Sequence, residues 1–110
     1  MTSMKDRRRA RRFRVNLPAR WERTRTPREG TVASISRNGC FVLTGGRVTP
    51  EDAVRIQMTL PDHEVITVLG EVVDFATQIG FAARFTWMEV PDELRLEQFL
   101  EQCLAAEGGS

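Results

Sequence analysis

Short runs in which apolar and polar residues alternate extend over most of this 110-residue chain, and the period changes only once. In the first run Val15, Leu17, Ala19 and Trp21 occupy every second position, as in a half-buried strand. Comparable runs follow at 30–36, 40–44, 54–60, 65–75 and 79–85, bounded by Gly, Pro, Asn or Asp. From Pro91 onward the apolar residues mostly follow the three-four spacing of a helix. The pattern therefore predicts a mainly β fold: a small six-stranded antiparallel β-barrel with a C-terminal α-helix.

The length supports one domain with a single core. We expect a flexible Arg-rich arm over residues 1–13, a barrel with its helix over 14–105, and a tail over 106–110. Asn38-Gly39 predicts a tight turn in which both residues tolerate positive φ. Pro18 predicts a sheet edge or a bulge, and Gly70 a bulge or a close approach of two backbones.

Charge is distributed very unevenly along the sequence. The first 28 residues contain eleven of the sixteen Lys and Arg residues and two acids, whereas the remaining residues contain five Arg and thirteen acids. The two parts therefore carry net charges of +9 and −8, which the overall charge of +1 conceals. Arginine at this density indicates a partner with phosphate groups or purine edges, because its planar fork binds both.

Residues typical of catalysis do not appear together. The one histidine, His63, lies in a Pro-Asp-His-Glu turn with no nucleophile beside it, and no phosphate-loop, dinucleotide or metalloprotease motif is present. Cys40 and Cys103 are far apart and have no metal-ligand spacing, so we expect a reduced chain with Cys40 in the core. No apolar run is long enough to cross a bilayer, and no apolar segment follows the basic N-terminus as in a secretory signal. We expect a cytoplasmic protein that is not an enzyme and has no cofactor or metal.

Two short motifs stand at a characteristic distance from each other. Arg8-Arg9-Ala10-Arg11-Arg12 has the form RxxxR, and the later turn reads Ser34-Ile35-Ser36-Arg37-Asn38-Gly39. With the run 79–85, these motifs make residues 6–87 resemble the PilZ domain family, whose motifs are RxxxR and (D/N)xSxxG. Arg8 and Arg12 match the first motif, and the same spacing occurs one residue earlier at Arg7 and Arg11. The resemblance implies a six-stranded barrel with a C-terminal helix, as the periodicity predicts independently.

The resemblance also implies a ligand, cyclic di-GMP (cyclic diguanylate). Its implied binding residues are Arg8, Arg12, Ser34, Ser36 and Gly39, with Arg7, Arg9 and Arg11 as additional candidates. Arginine suits this ligand because each guanine offers the O6 and N7 acceptors to its fork. Ser34 departs from the family, which has Asp or Asn there. Loss of one acceptor for the guanine N1–H and N2 edge would cost ~1–3 kcal/mol.

The leading hypothesis is therefore a non-catalytic receptor that changes conformation when it binds cyclic di-GMP and signals to an unidentified protein partner. The resemblance implies outputs in motility, type IV pili or exopolysaccharide. The alternative is a degenerate PilZ adaptor that does not bind the dinucleotide and acts by protein–protein contact alone. A weaker reading is a small nucleic-acid-binding barrel, which the acidic remainder of the chain disfavours. We expect no specific nucleic acid partner, no membrane insertion, and a monomer or weak homodimer.

Overall fold

The computed structural model describes residues 11–108, which form six strands and one helix. The elements in chain order are β1 (Phe13–Glu22), β2 (Arg28–Ile35), β3 (Gly39–Leu43), β4 (Ala53–Thr59), β5 (Val65–Ala76), β6 (Gly80–Met88) and α1 (Val90–Gly108). The strands form a closed barrel in the order β1-β2-β3-β6-β5-β4, and all neighbouring pairs are antiparallel. The predicted barrel with a C-terminal helix is confirmed.

The core lies inside the barrel and consists of the alternate residues that point inward from each strand. Trp21 is buried there, with its ring edge-on to Phe81 at a centroid separation of 4.9 Å. Cys40 is also in the core, as predicted, and burial raises the pKa of its thiol to about 12. Trp87, by contrast, is 57% exposed on β6 and contributes little to this core.

Irregular positions in the strands follow the Pro and Gly residues of the sequence. The register of β1 against β2 shifts between Arg14 and Leu17, just before Pro18, and the β1–β4 ladder starts after Pro18, at Ala19. A proline lacks the N–H that a full ladder requires, so it is tolerated beside this bulge. Gly70 lies at a register shift in β5, where a Cβ would come within 2.9 Å of the Arg84 carbonyl oxygen.

The helix covers one end of the barrel. Leu96 and Phe99 are buried against the core, and a carboxylate oxygen of Asp92 accepts a hydrogen bond from the Thr67 N–H at 3.1 Å. β1 begins at Phe13 and α1 extends to Gly108, so both elements reach beyond the bounds of 14–105 expected for the barrel domain with its helix. Ala105 and Ala106 favour helix, so the helix ends only at the following glycines. No helix in the described part of the chain is long and apolar enough to cross a membrane.

Candidate functional site

The two sequence motifs meet where β1 pairs with β2. Arg14 of β1 lies opposite Ser34 of β2, and Arg12 directly precedes β1. The Arg12 guanidinium donates a hydrogen bond from Nη1 to the Ser34 hydroxyl oxygen at 3.1 Å. Residues separated by 22 positions in sequence are thus in direct contact. We call the barrel end at which this contact lies the motif end, and the opposite end the far end.

Ser36 builds the turn that connects β2 with β3. Its backbone N–H donates to the Gly39 carbonyl at 2.8 Å, and its hydroxyl oxygen accepts from the Asn38 N–H at 3.1 Å. The side chain is only 3% exposed, and its hydroxyl also lies 3.5 Å from the Gly39 carbonyl oxygen. These bonds are local side-chain-to-backbone contacts of the kind that define a turn. Ser36 therefore shapes the loop from inside it.

The Asn-Gly pair suggests that position 39 needs glycine for a positive φ, but the structure shows a different requirement. Among the described residues, positive φ occurs at Glu51, His63, Gln78 and Gly80, so neither Asn38 nor Gly39 adopts it. Gly39 instead begins β3 opposite Arg84, and a Cβ on it would overlap the carbonyl oxygen of Ala83. The positive-φ prediction is wrong because close packing of two strands, and not turn geometry, requires the glycine.

Arg11 and Arg12 contact different elements. Arg11 forms an ion pair with Glu107 of α1 at 2.5 Å, and its guanidinium lies 5.4 Å from the centroid of the Phe13 ring. Arg12 instead reaches Ser34 on β2. This difference agrees with the motif match of Arg8 and Arg12, in which Arg12, and not Arg11, takes the second position of RxxxR. The other candidates, Arg7, Arg8 and Arg9, lie outside the described residues.

Arg37 is a residue of this site that the sequence analysis did not select. It lines two adjoining cavities between the turn and α1, of about 330 and 400 Å³, and Glu97 of α1 also lines both. The Arg37 side chain is exposed and has no acidic partner among residues 11–108. Its position inside the second motif was the available signal. The motif allows any residue at this position, so the motif match did not draw attention to the charge of Arg37.

The charges at the motif end favour an anionic ligand. Neither Arg14 nor Arg37 pairs with an acid in the described chain, and Arg12 contacts only the neutral Ser34 hydroxyl. Unpaired guanidinium groups attract phosphate and donate to purine acceptors. No group of three or more His, Cys, Asp or Glu residues that could hold a metal ion occurs within 11–108. The arrangement is therefore suited to binding an anion through arginine.

Comparisons with known proteins agree with the motifs. The family model of the PilZ domain matches residues 6–102. No curated protein has a matching sequence. Among solved structures, the inhibitor of motility MotI/DgrA of Bacillus subtilis has a TM-score of 0.75 and 17% identity, with 94% of this chain and 52% of that chain covered. The complex of K. pneumonia MrkH with c-di-GMP also gives a TM-score of 0.75 and 17% identity, with 93% and 54% covered.

A third structure has a length similar to that of this chain. The PilZ domain of CeSA from a cellulose-synthesizing bacterium gives a TM-score of 0.63 and 15% identity, with 89% of this chain and 99% of that chain covered. The chain thus spans about half the length of the first two proteins and nearly all of the third. At these identities the likeness establishes a shared fold.

Proposed function

Because this chain belongs to the PilZ domain family, we propose that it is a non-catalytic receptor for cyclic di-GMP that transmits its ligand state to a protein partner. The observation that carries the proposal is the hydrogen bond between Arg12 and Ser34. It brings the end of the RxxxR motif onto the start of the second motif. A dinucleotide could therefore contact both motifs at once.

The chemistry of cyclic di-GMP matches the exposed groups at the motif end. The ligand has two phosphates and two guanines, and each guanine edge with O6 and N7 accepts a bidentate pair of hydrogen bonds from arginine. Arg12, Arg14 and Arg37 offer three guanidinium groups around Ser34 and the turn. Arg8 would add a fourth from the arm. We assign phosphate and guanine contacts to these arginines and a guanine contact to the Ser34 hydroxyl.

Ser36 and Gly39 have a supporting role in this proposal. The Ser36 hydroxyl is buried and bonded within the turn, and Gly39 allows β3 to approach β6. Both residues therefore fix the backbone that carries Ser34 and Arg37. Their contribution to ligand affinity is the stability and shape of this loop.

Ligand binding would move the arm, because the contacts that now hold it use the same groups. Arg12 donates to Ser34, and Arg11 pairs with Glu107 on α1. A phosphate or guanine that binds these guanidinium groups competes with both contacts. The displaced arm, and the face of α1 that loses its contact with Arg11, would form the surface that a partner binds. We propose a cytoplasmic output in motility, type IV pili or exopolysaccharide, since one structural neighbour is an inhibitor of motility.

A second candidate function rests on Ser34. A serine hydroxyl supplies one acceptor oxygen, whereas the Asp or Asn of the family motif accepts the guanine N1–H and N2–H₂ edge more fully. If the binding free energy lost at Ser34 exceeded the binding free energy that the arginines contribute, the chain would be an adaptor that binds its partner without the dinucleotide. Binding measurements separate the two functions directly.

The test compares two arginines that are both exposed but lie at opposite ends of the barrel. We expect Arg12→Ala to weaken cyclic di-GMP binding at least about tenfold in isothermal titration, because a charge-assisted hydrogen bond is lost. Arg55→Ala, a matched control on β4 at the far end, should change the affinity less than about twofold. Equal affinities for both variants would contradict the proposed site. No detectable heat with the unaltered, folded chain would favour the adaptor.

A further inference from the structure

The basic N-terminal quarter of the sequence is divided between the two ends of the barrel. Arg11, Arg12 and Arg14 lie at the motif end, but β1 then crosses the barrel, and Arg23 and Arg28 follow at the far end. The ten residues of β1 rise about 3.3 Å each, which separates the two groups by about 30 Å. The far-end arginines therefore belong to a different surface from the cyclic di-GMP site proposed above.

A pocket of about 380 Å³ opens at the far end. We call it the far-end pocket, and its lining residues are Trp21, Arg23, Thr24, Thr26, Arg28, Gly45, Gly46 and Arg47. They come from the end of β1, the loop before β2, and the segment that follows β3. Three of the eight carry a guanidinium group and none carries a carboxylate.

The floor of this pocket is held rigidly. A Cβ on Gly46 would overlap the Trp21 indole and would lie 2.8 Å from Cδ of Arg28, so the backbone of Gly46 packs directly on both side chains. The Trp21 indole N–H donates to the Thr44 hydroxyl at 3.0 Å, and that hydroxyl donates to the Glu29 carbonyl at 3.0 Å. The chain around Gly46 is thereby fixed against the core and against β2.

Hydrogen-bond donors exceed acceptors in the far-end pocket. Arg23 pairs with Asp52 at 3.2 Å, and the backbone N–H of Thr49 donates to the same carboxylate oxygen at 2.7 Å. This backbone bond lowers the pKa of Asp52, so the carboxylate stays ionised and holds Arg23 in place. Within residues 11–108, however, the side chains of Arg28 and Arg47 have no partner, and neither do the hydroxyls of Thr24 and Thr26.

Backbone donors complete the set. The amide groups of Gly45 and Arg47 make no hydrogen bond to any other group in the described part of the chain. The Gly46 N–H between them donates to the Thr44 hydroxyl at 3.5 Å, so the two free amides flank a bonded one. Free amides in a glycine-containing loop, together with hydroxyls and guanidinium forks, are groups with which proteins bind phosphate. The volume of about 380 Å³ beside the Trp21 ring is sufficient for a phosphate or diphosphate group.

We propose that the far-end pocket is a second anion site, which binds the phosphate or diphosphate group of a ligand through Arg28, Arg47 and the Gly45–Arg47 backbone. The site is independent of the cyclic di-GMP receptor function proposed above, because the two share no residue. Arg23, held by Asp52, would supply a further positioned guanidinium donor, although the Asp52 carboxylate offsets its charge. The group bound could belong to a soluble phosphorylated molecule or to a lipid headgroup, which have the same phosphate chemistry.

Inorganic pyrophosphate is the probe that tests the site. The chain has two tryptophans, Trp21 in the pocket and Trp87 on β6, so their indole N–H signals in an NMR titration report on the two ends of the barrel. We expect pyrophosphate to shift the Trp21 indole and the Gly45 and Gly46 amides while the Trp87 signal stays in place. The double variant R28Q/R47Q should weaken this binding at least about tenfold.

Arg84→Gln is the control at a distant position, and it removes one positive charge where R28Q/R47Q removes two. Arg84 is exposed on β6 and pairs with Glu71. Arg84→Gln should change pyrophosphate affinity less than about twofold. The proposal is overturned if Arg84→Gln weakens binding as much as R28Q/R47Q, if only Trp87 and arm signals shift, or if millimolar pyrophosphate shifts none of these signals.

Vesicles of phosphatidylcholine with and without phosphatidic acid then show whether the bound phosphate group belongs to a lipid or to a soluble molecule. If the chain sediments with vesicles only when phosphatidic acid is present and Arg28 and Arg47 are intact, the bound group is a lipid headgroup. If the chain binds pyrophosphate but does not sediment with these vesicles, the ligand is a soluble phosphorylated molecule.

Discussion

Ser34 offers one hydroxyl oxygen at a position where the family motif has the carboxylate or amide of Asp or Asn. In the structure this oxygen accepts one hydrogen bond from Arg12, which leaves it one further acceptor position. A ligand guanine can use only that position, whereas the two oxygens of a carboxylate could accept from Arg12 and from both the N1–H and the N2–H₂ of guanine. We therefore expect this side chain to limit the affinity of the proposed site.

Ser34→Asp should consequently strengthen cyclic di-GMP binding about tenfold, since it restores an ionised acceptor for the guanine N1–H and N2–H₂ edge. Isothermal titration measures the change. Thr77→Asp, in the exposed turn between β5 and β6 at the far end, adds the same charge and should leave the affinity nearly unchanged or slightly lower. Weaker binding by Ser34→Asp than by the unaltered chain would contradict the proposed guanine contact.

Two glycines permit a matched test of the packing argument. A methyl group on Gly39 would overlap the Ala83 carbonyl oxygen, whereas one on Gly45 would meet nothing within 4 Å. We expect Gly39→Ala to lower the free energy of unfolding by about 1–3 kcal/mol, the usual cost of overpacking. Gly45→Ala should change it by less than about 1 kcal/mol. Urea denaturation of both variants checks this, and equal stabilities would show that β3 and β6 are not packed so closely.

Motif spacing selected Arg12, Ser34, Ser36 and Gly39 as candidates, but it did not reveal which contacts each one makes. Pairing between β1 and β2, which brings Arg12 to Ser34, follows from tertiary register and cannot be read from local pattern. The same holds for Gly39, whose constraint comes from β6, more than forty positions later in the chain. Arg37 was missed because the motif allows many residues at this position, so the motif match does not single out an arginine there.

At the level of elements, the apolar periodicity predicted every strand of the barrel and its helix to within a few residues. Period-two alternation is strong here because each strand has one face in the core and one in solvent. Boundaries were less predictable: α1 continues through Ala105 and Ala106, where helix propensity and not apolar spacing decides its length. The pairing order of the barrel, with β3 next to β6, has no local signal in the sequence.

Leu96 and Leu94 of α1 test whether the helix is part of the core. Leu96 is 2% exposed and belongs to the core cluster, whereas Leu94 is 53% exposed. We expect Leu96→Ala to destabilise the chain by about 2–5 kcal/mol through lost burial and a residual cavity. Leu94→Ala, two positions away on the same helix, should cost less than about 1 kcal/mol. Thermal or urea unfolding distinguishes them, and a similar cost for both would mean that α1 does not close the barrel as described.

On the scale of the whole molecule, the net charge of +9 in the first 28 residues does not form one basic surface. Some of these basic residues lie at the motif end of the barrel and others at the far end. The length of β1 separates the two ends by about 30 Å. The described basic residues therefore form two separate groups of arginines, where the sequence most simply suggests one polyanion-binding segment. One group lies beside α1, and the other lies beside the Gly45–Gly46 segment.

The central claim is that the motif end recognises guanine and phosphate together, and isothermal titration of the unaltered chain with cyclic di-GMP and with cyclic di-AMP tests it most directly. Both dinucleotides carry two phosphates, but adenine lacks the O6 acceptor that arginine binds beside N7. We predict saturable heat with cyclic di-GMP and affinity for cyclic di-AMP that is weaker at least about tenfold. Equal affinity for the two, or no heat with cyclic di-GMP while the chain remains folded, would contradict the account.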